Sequence, residues 1–306
     1  MAGTTLAWLT PTIATLFLYG LAQGFARKYV EEVSPARFCL FFIVARTIVA
    51  LSYFAMTEHP APFAEEGRGF LLVALLVYLL DGTAWVLYYK SILRGPITIV
   101  GTLSAAYPAP TILLAAIFLG ERLGALQYVG VALVLFGCLG MAYEPGEGKE
   151  TANRGWIPLA VGALCLWAVA QTLLKYSYGL PQASESNAML AMFGGGWLTL
   201  GVYGLLYGRR SSGNEPAQGS SDPAIPPTGS ATREWLRAMF PMVLMASGDA
   251  GLLIAVKYGP VSIVTPLTAA YPVVTIIFAA LVLEERVSKL QYGAIAAVLA
   301  GMYCII

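Results

Sequence analysis

Residues 95–128, GPITIVGTLSAAYPAPTILLAAIFLGERLGALQY, return without a gap as residues 259–292, GPVSIVTPLTAAYPVVTIIFAALVLEERVSKLQY. Gly95-Pro96, Ala105-Ala106-Tyr107-Pro108, Thr111, Glu121-Arg122 and Leu126-Gln127-Tyr128 align with Gly259-Pro260, Ala269-Ala270-Tyr271-Pro272, Thr275, Glu285-Arg286 and Leu290-Gln291-Tyr292. Identity at those positions over 34 consecutive residues marks an internal duplication. Both copies are apolar, so the repeated unit is a pair of hydrophobic helices.

Composition places those helices in a membrane. The 306 residues are 58% hydrophobic and 11% charged, against roughly 25% charged in a soluble domain. A net charge of +1 gives no reason to expect a nucleic-acid partner. Cys39, Cys138, Cys165 and Cys304 sit in apolar runs without CxxC spacing and read as packing residues. No phosphate-binding GxxxxGK[ST] loop is present, and no metal or cofactor is expected. No basic region or cleavage site precedes the first apolar stretch, which reads as a retained span.

A helix crosses roughly 30 Å of hydrocarbon with about 20 apolar residues. That ruler predicts ten spans, near 6–26, 35–56, 69–90, 96–118, 125–143, 155–178, 186–207, 236–257, 261–283 and 289–306. The first five-helix repeat is expected over 1–143, a linker over 144–154 and the second repeat over 155–306. Within the second, the Gly-, Ser- and Pro-rich stretch 208–235 reads as a mobile insertion. The duplication extends to the first helix of each half, where Tyr19, Gln23 and Arg27 match Trp167, Gln171 and Lys175, one face at four-residue spacing. Five spans per repeat is odd, so the copies run in opposite senses. Inverted copies with a site between them near the midplane are the architecture of secondary transporters.

Two five-helix units, each ending G-P-x-x-I-V…L-x-A-x-Y-P…T…E-R…L-Q-Y, resemble the EamA-type members of the drug/metabolite transporter superfamily. The resemblance implies an all-α, ten-helix, non-enzymatic carrier. It would export or exchange a small polar or amphipathic metabolite by alternating access, without a nucleotide, with a proton as candidate coupling ion. It further implies a multi-pass protein of a plasma membrane, the bacterial inner membrane first, working as a monomer or homodimer.

Candidate site residues are polar groups in apolar spans. Asp81 and Asp249 lie mid-span in matching helices, where a carboxylate costs roughly 2.5–3.5 kcal/mol on insertion scales and marks a cavity or a pair. They are candidates to carry a proton or hold a substrate cation, with assembly pairing as the bland alternative. Arg46 has no counterpart in the second half, and Asp81 is its first candidate partner, a substrate anion the alternative. Ser104, Tyr107 and Thr111, mirrored by Thr268, Tyr271 and Thr275, form a polar stripe at spacings of three and four, beside Pro108 and Pro272. Gln23, Gln171 and Trp85 complete the set expected to line the cavity, though Ser, Thr, Gln and Trp also serve helix packing. Lys90, Lys175 and Lys257 read as snorkelling to headgroups, and Glu121-Arg122 and Glu285-Arg286 as solvated turns. An amine-bearing metabolite or amino acid is the preferred substrate.

Lipid-linked sugar or phospholipid translocation is the alternative in the same fold. An intramembrane aspartyl protease, which also needs two membrane aspartates, fits poorly with the Leu80-Asp81 and Gly248-Asp249 contexts. Orientation draws opposed expectations. The resemblance implies cytoplasmic termini, whereas loops after odd-numbered spans hold thirteen of the 18 Lys and Arg and the other side four, which puts both termini outside.

Overall fold

The structure is a computed structural model that describes residues 2–29, 35–61, 63–92, 94, 100, 103, 106–141, 155–208, 231–282, 284 and 288–306. Ser104 and most of the 208–235 insertion therefore lie outside the described residues. The described residues form ten main helices: α1 (Ala2–Tyr29), α2 (Pro35–Met56), α3 (Arg68–Ile92), α4 (Pro108–Leu119), α5 (Ala125–Met141), α6 (Ile157–Ser177), α7 (Glu185–Tyr207), α8 (Ala231–Tyr258), α9 (Val261–Val282) and α10 (Lys289–Ile305). Counting only their described residues, all but α4, α5 and α10 are long and apolar enough to cross a membrane by themselves. At 17 residues each, α5 and α10 span about 25 Å, most of the hydrocarbon thickness. Against expectation, α8 begins at Ala231, inside the stretch expected as linker, because Ala231-Thr-Arg-Glu-Trp-Leu-Arg-Ala238 is rich in good helix formers.

Packing follows the duplication. Exchanging each helix for its counterpart five places along maps the main contacts onto one another. The pair α1·α8 becomes α6·α3, α2·α8 becomes α7·α3, and α1·α9 becomes α6·α4, while α5·α10, α2·α7 and α4·α9 map onto themselves. The repeats thus interlock, each lending its first helix to the third helix of the other. At the α5·α10 crossing a Cβ on Gly301 would sit 2.6 Å from the Gly130 carbonyl, and one on its counterpart Gly137 would sit 2.8 Å from the Ala294 carbonyl. Small residues bring the backbones together where the membrane supplies no hydrophobic drive between helices.

The Tyr-Pro-x-x-Thr motif explains itself locally. Pro272 has no N–H to continue the helix, and α9 breaks into Val261–Ala269 and Pro272–Val282. Thr111 and Thr275, one turn on, donate their hydroxyls to the carbonyls of Tyr107 (2.8 Å) and Tyr271 (3.3 Å), and Thr275 also reaches Gly20 O of α1 at 3.1 Å. The helix-ending turn recurs too. Gly120 after α4 is left-handed at φ 67°, and the residue at the matching position after α9, Glu284, adopts φ 56° despite its side chain.

Candidate functional site

α2, α3 and α8 converge midway through the bundle. Arg46 of α2, 2% exposed, donates from Nη1 to Asp81 Oδ2 of α3 and from Nε to Asp249 Oδ2 of α8, both at 2.7 Å. The second oxygen of each carboxylate is taken by an aromatic donor from the opposite repeat. Tyr19 of α1 donates its hydroxyl to Asp249 Oδ1 at 2.6 Å, and Trp167 of α6 its indole N–H to Asp81 Oδ1 at 3.2 Å. Tyr19 and Trp167 are the matched aromatics of the duplication, so the two halves of the cluster obey its two-fold relation. The arginine breaks it: α7 carries no basic residue.

Glycine lets the chain build this. A Cβ on Gly248 would lie 2.5 Å from the Tyr19 ring, so α1 and α8 approach closely only because Gly248 precedes Asp249. Thr15 fixes the same crossing by donating to Gly248 O at 3.1 Å. On the other half, a Cβ on Gly82 would overlap Thr199 Oγ1 of α7, and one on Gly195 would lie 2.7 Å from Tyr78 Cβ. The guanidinium also rests on the Phe42 ring, with Cζ 4.5 Å from its centroid.

The cluster holds one positive and two negative charges, so with all three ionised it carries a net charge of −1 in the middle of the membrane. Arg46 engages both carboxylates through separate nitrogens. Beside it lies a cavity of about 20 Å³ lined by Arg46, Asp81, Asp249, Gln171, Tyr78 and Leu253, among others. That is room for a single water. The buried Gln171 Oε1 on its wall has no hydrogen-bond partner among the described residues.

The other sequence candidates fall around this centre in two layers. Tyr107 packs on Trp167 with ring centroids 6.1 Å apart, and Tyr271 on Tyr19 at 5.9 Å, so the two tyrosines back the two aromatic donors in symmetric fashion. Trp85 belongs to an aromatic group with Phe42, Tyr88, Tyr89 and Trp167. Thr111 and Thr268 are fully buried with their hydroxyls on backbone carbonyls, and neither they nor Thr275 line the cavity. Gln23 is half-buried on α1, away from the cavity lining.

Sequence reasoning passed over Tyr19 and Trp167 as carboxylate ligands, although their match across the halves was the available signal. It also placed two sets of charges wrongly. Glu121 is not a solvated turn residue: it accepts from the backbone amides of Val261 (3.0 Å) and Ser262 (2.9 Å), the orphan donors at the start of α9. Lys175 and Lys257 do not snorkel, since Lys175 binds carbonyls at the end of α8 and Lys257 pairs with Glu185 at 2.6 Å.

Ten membrane helices in two inverted repeats, interlocked around a buried ion cluster near mid-membrane, define a multi-pass membrane protein of the transporter class. The EamA-like transporter family matches residues 6–143 and 154–306, and the chain belongs to that family. A solved crystal structure shares the fold, with a TM-score of 0.71 over 98% of this chain and 96% of its own at 16% identity. No curated protein sequence matches the chain.

Proposed function

We propose that the protein is a secondary transporter of a small amine-bearing metabolite, an exporter or exchanger in the bacterial inner membrane, coupled to protons through the Asp81–Arg46–Asp249 cluster. The carrying observation is the cluster's charge: two carboxylates on one guanidinium, tying the first repeat to the second. An unbalanced charge in hydrocarbon attracts either a proton or a cation, and an ammonium can take the place that Arg46 holds on one carboxylate. Gln171 Oε1, with no hydrogen-bond partner among the described residues, supplies a further acceptor to the same cation. The cavity of about 20 Å³ admits no metabolite, since ligand pockets run to roughly 300 Å³ and more. Substrate entry therefore requires α3 and α8 to part, and inverted repeats provide that motion by alternating access.

A thermal-shift screen of the solubilised protein against amines, amino acids and their neutral isosteres tests the substrate class, because any ligand of the folded state stabilises it by RT ln(1 + [L]/Kd). Stabilisation by neutral or anionic compounds alone would overturn the amine assignment. With a hit in hand, Asp81→Asn in proteoliposomes is expected to abolish accumulation driven by a pH gradient while sparing counterflow. Accumulation that persists in both Asp81→Asn and Asp249→Asn would remove the cluster from coupling.

A further inference from the structure

The junction between α8 and α9, Lys257–Ser262, is held by side chains from four other helices. Lys175, closing α6, donates Nζ to Val256 O (3.0 Å), Lys257 O (3.2 Å) and Gly259 O (2.8 Å). Glu121, just past α4, accepts from the amides of Val261 and Ser262 and from the Ser262 hydroxyl at 2.5 Å. At the start of α7, Glu185 accepts from Lys257 Nζ at 2.6 Å and from the Tyr258 hydroxyl at 2.5 Å. Trp8 of α1 presses on Gly259 so closely that a Cβ there would lie 2.8 Å from Trp8 Cβ. A cation thus meets the carbonyls ending one helix and an anion the amides starting the next, each charge placed where the helix dipole favours it.

These contacts stand over the cavity on the face of the bundle that carries both chain termini. Lys175 is one turn beyond Gln171 and adjacent to Leu174, while Leu252 and Leu253 of the lining precede Lys257 by about one turn, roughly 6 Å. Tyr178 closes the same layer by donating to Leu253 O at 3.2 Å. Two features separate this from ordinary capping. Each charge comes from a helix other than the one it caps, and the Glu121 contact joins a helix of the first repeat to one of the second. The left-handed turn at Gly120 aims the chain at that contact.

We propose that Glu121 and Glu185, with Lys175, are gating residues that hold the pathway shut on the termini-bearing side, and that this side opens only when the α8–α9 junction is released. The proposal rests on transport by alternating access but is indifferent to substrate and coupling ion. The test uses the full chain with its four cysteines replaced and one reporter, Leu252→Cys, in the cavity wall. An impermeant maleimide is applied from each side, to intact cells and to inverted vesicles. In Glu121→Gln/Glu185→Gln, labelling from the termini-bearing side is expected to rise about ten-fold, the change that corresponds to 1.4 kcal/mol in a two-state equilibrium. Labelling from the opposite side is expected to fall in step. A purely structural role loosens the bundle and raises labelling from both sides or from neither, and either outcome overturns the proposal. If the double variant does not survive size-exclusion chromatography, the same readout on Lys175→Met decides, and failure of the reporter to change sides there also overturns it. Neither result bears on whether Asp81 and Asp249 bind an amine.

Discussion

Removing Arg46 and removing Asp81 both break the same 2.7 Å ion pair, yet the cluster's charge makes their consequences opposite in kind. With charge centres about 4 Å apart, each Arg–Asp attraction is worth about 4 kcal/mol at an effective dielectric constant of 20. Arg46→Met forfeits both attractions and leaves two carboxylates with no counter-ion. Loss of one partner from a buried pair typically costs about 3–5 kcal/mol, and here two are orphaned at once. Asp81→Asn forfeits one attraction but also ends the repulsion between the carboxylates, worth about 3 kcal/mol if their charge centres are taken as about 6 Å apart. Its amide can still accept from Arg46, and the remaining Arg46–Asp249 pair is neutral overall. The expected net change is about 1 kcal/mol or less. Thermal unfolding of the solubilised protein, followed by tryptophan fluorescence, should therefore rank Arg46→Met far below wild type and Asp81→Asn beside it. Arg46→Met/Asp81→Asn/Asp249→Asn, which removes every charge, should recover most of the loss. Equal destabilisation by Arg46→Met and Asp81→Asn would refute the argument, because it would mean that the arginine holds no second carboxylate.

Tyr19→Phe removes the 2.6 Å bond to Asp249 and should cost about 1.5–3 kcal/mol, the range for a hydrogen bond to a charged group, read as a lower apparent Tm that Asp249→Asn largely relieves. Glu284→Gly relaxes a side chain from left-handed backbone at φ 56° and should stabilise by about 1 kcal/mol, and a lower Tm would contradict that geometry. Gly301→Val forces a side chain into the Gly130 carbonyl 2.6 Å away, and the variant should fail to give a monodisperse peak while Gly293→Val, in open space on the same helix, should not. A cysteine placed between α7 and α8 reports orientation. With the basic side cytoplasmic it should resist impermeant maleimide on intact cells and react in inverted vesicles, and the reverse pattern would place the termini inside.

The architecture was legible because membrane spans and duplication are both one-dimensional signals. Length and apolarity mark a span without any knowledge of its neighbours, and the Tyr-Pro-x-x-Thr and Glu-Arg motifs recur in register. The mid-span positions of Arg46, Asp81 and Asp249 were equally plain, since burial in hydrocarbon singles out a charge wherever it falls. Illegible was the pairing between repeats. The pattern of one helix cannot say that Tyr19 of α1 meets α8 or that Glu121 reaches α9, because those contacts follow from the interlocked crossing of the helices. The threonines illustrate the converse difficulty. Thr111 and Thr268 fall on a polar stripe, but a hydroxyl can satisfy itself on the carbonyl one turn back, so a stripe of threonines carries less information than a stripe of carboxylates.

Symmetry and its breach divide the work of the site. Two-fold features, the Tyr19–Asp249 and Trp167–Asp81 bonds with Tyr271 and Tyr107 behind them, present nearly equivalent surfaces to the two halves. In the proposed alternating-access cycle, that equivalence would let one cluster face either side of the membrane as the inverted repeats exchange conformations. Arg46 of α2 has no counterpart on α7, which carries Gly194-Gly195-Gly196 and no base. A second arginine would balance both carboxylates and leave no charge to attract a cation. None at all would leave two carboxylates facing hydrocarbon. One arginine shared by two carboxylates is the intermediate case, in which the site stays assembled and, under the proposed function, one charge is left for a proton or an ammonium to meet.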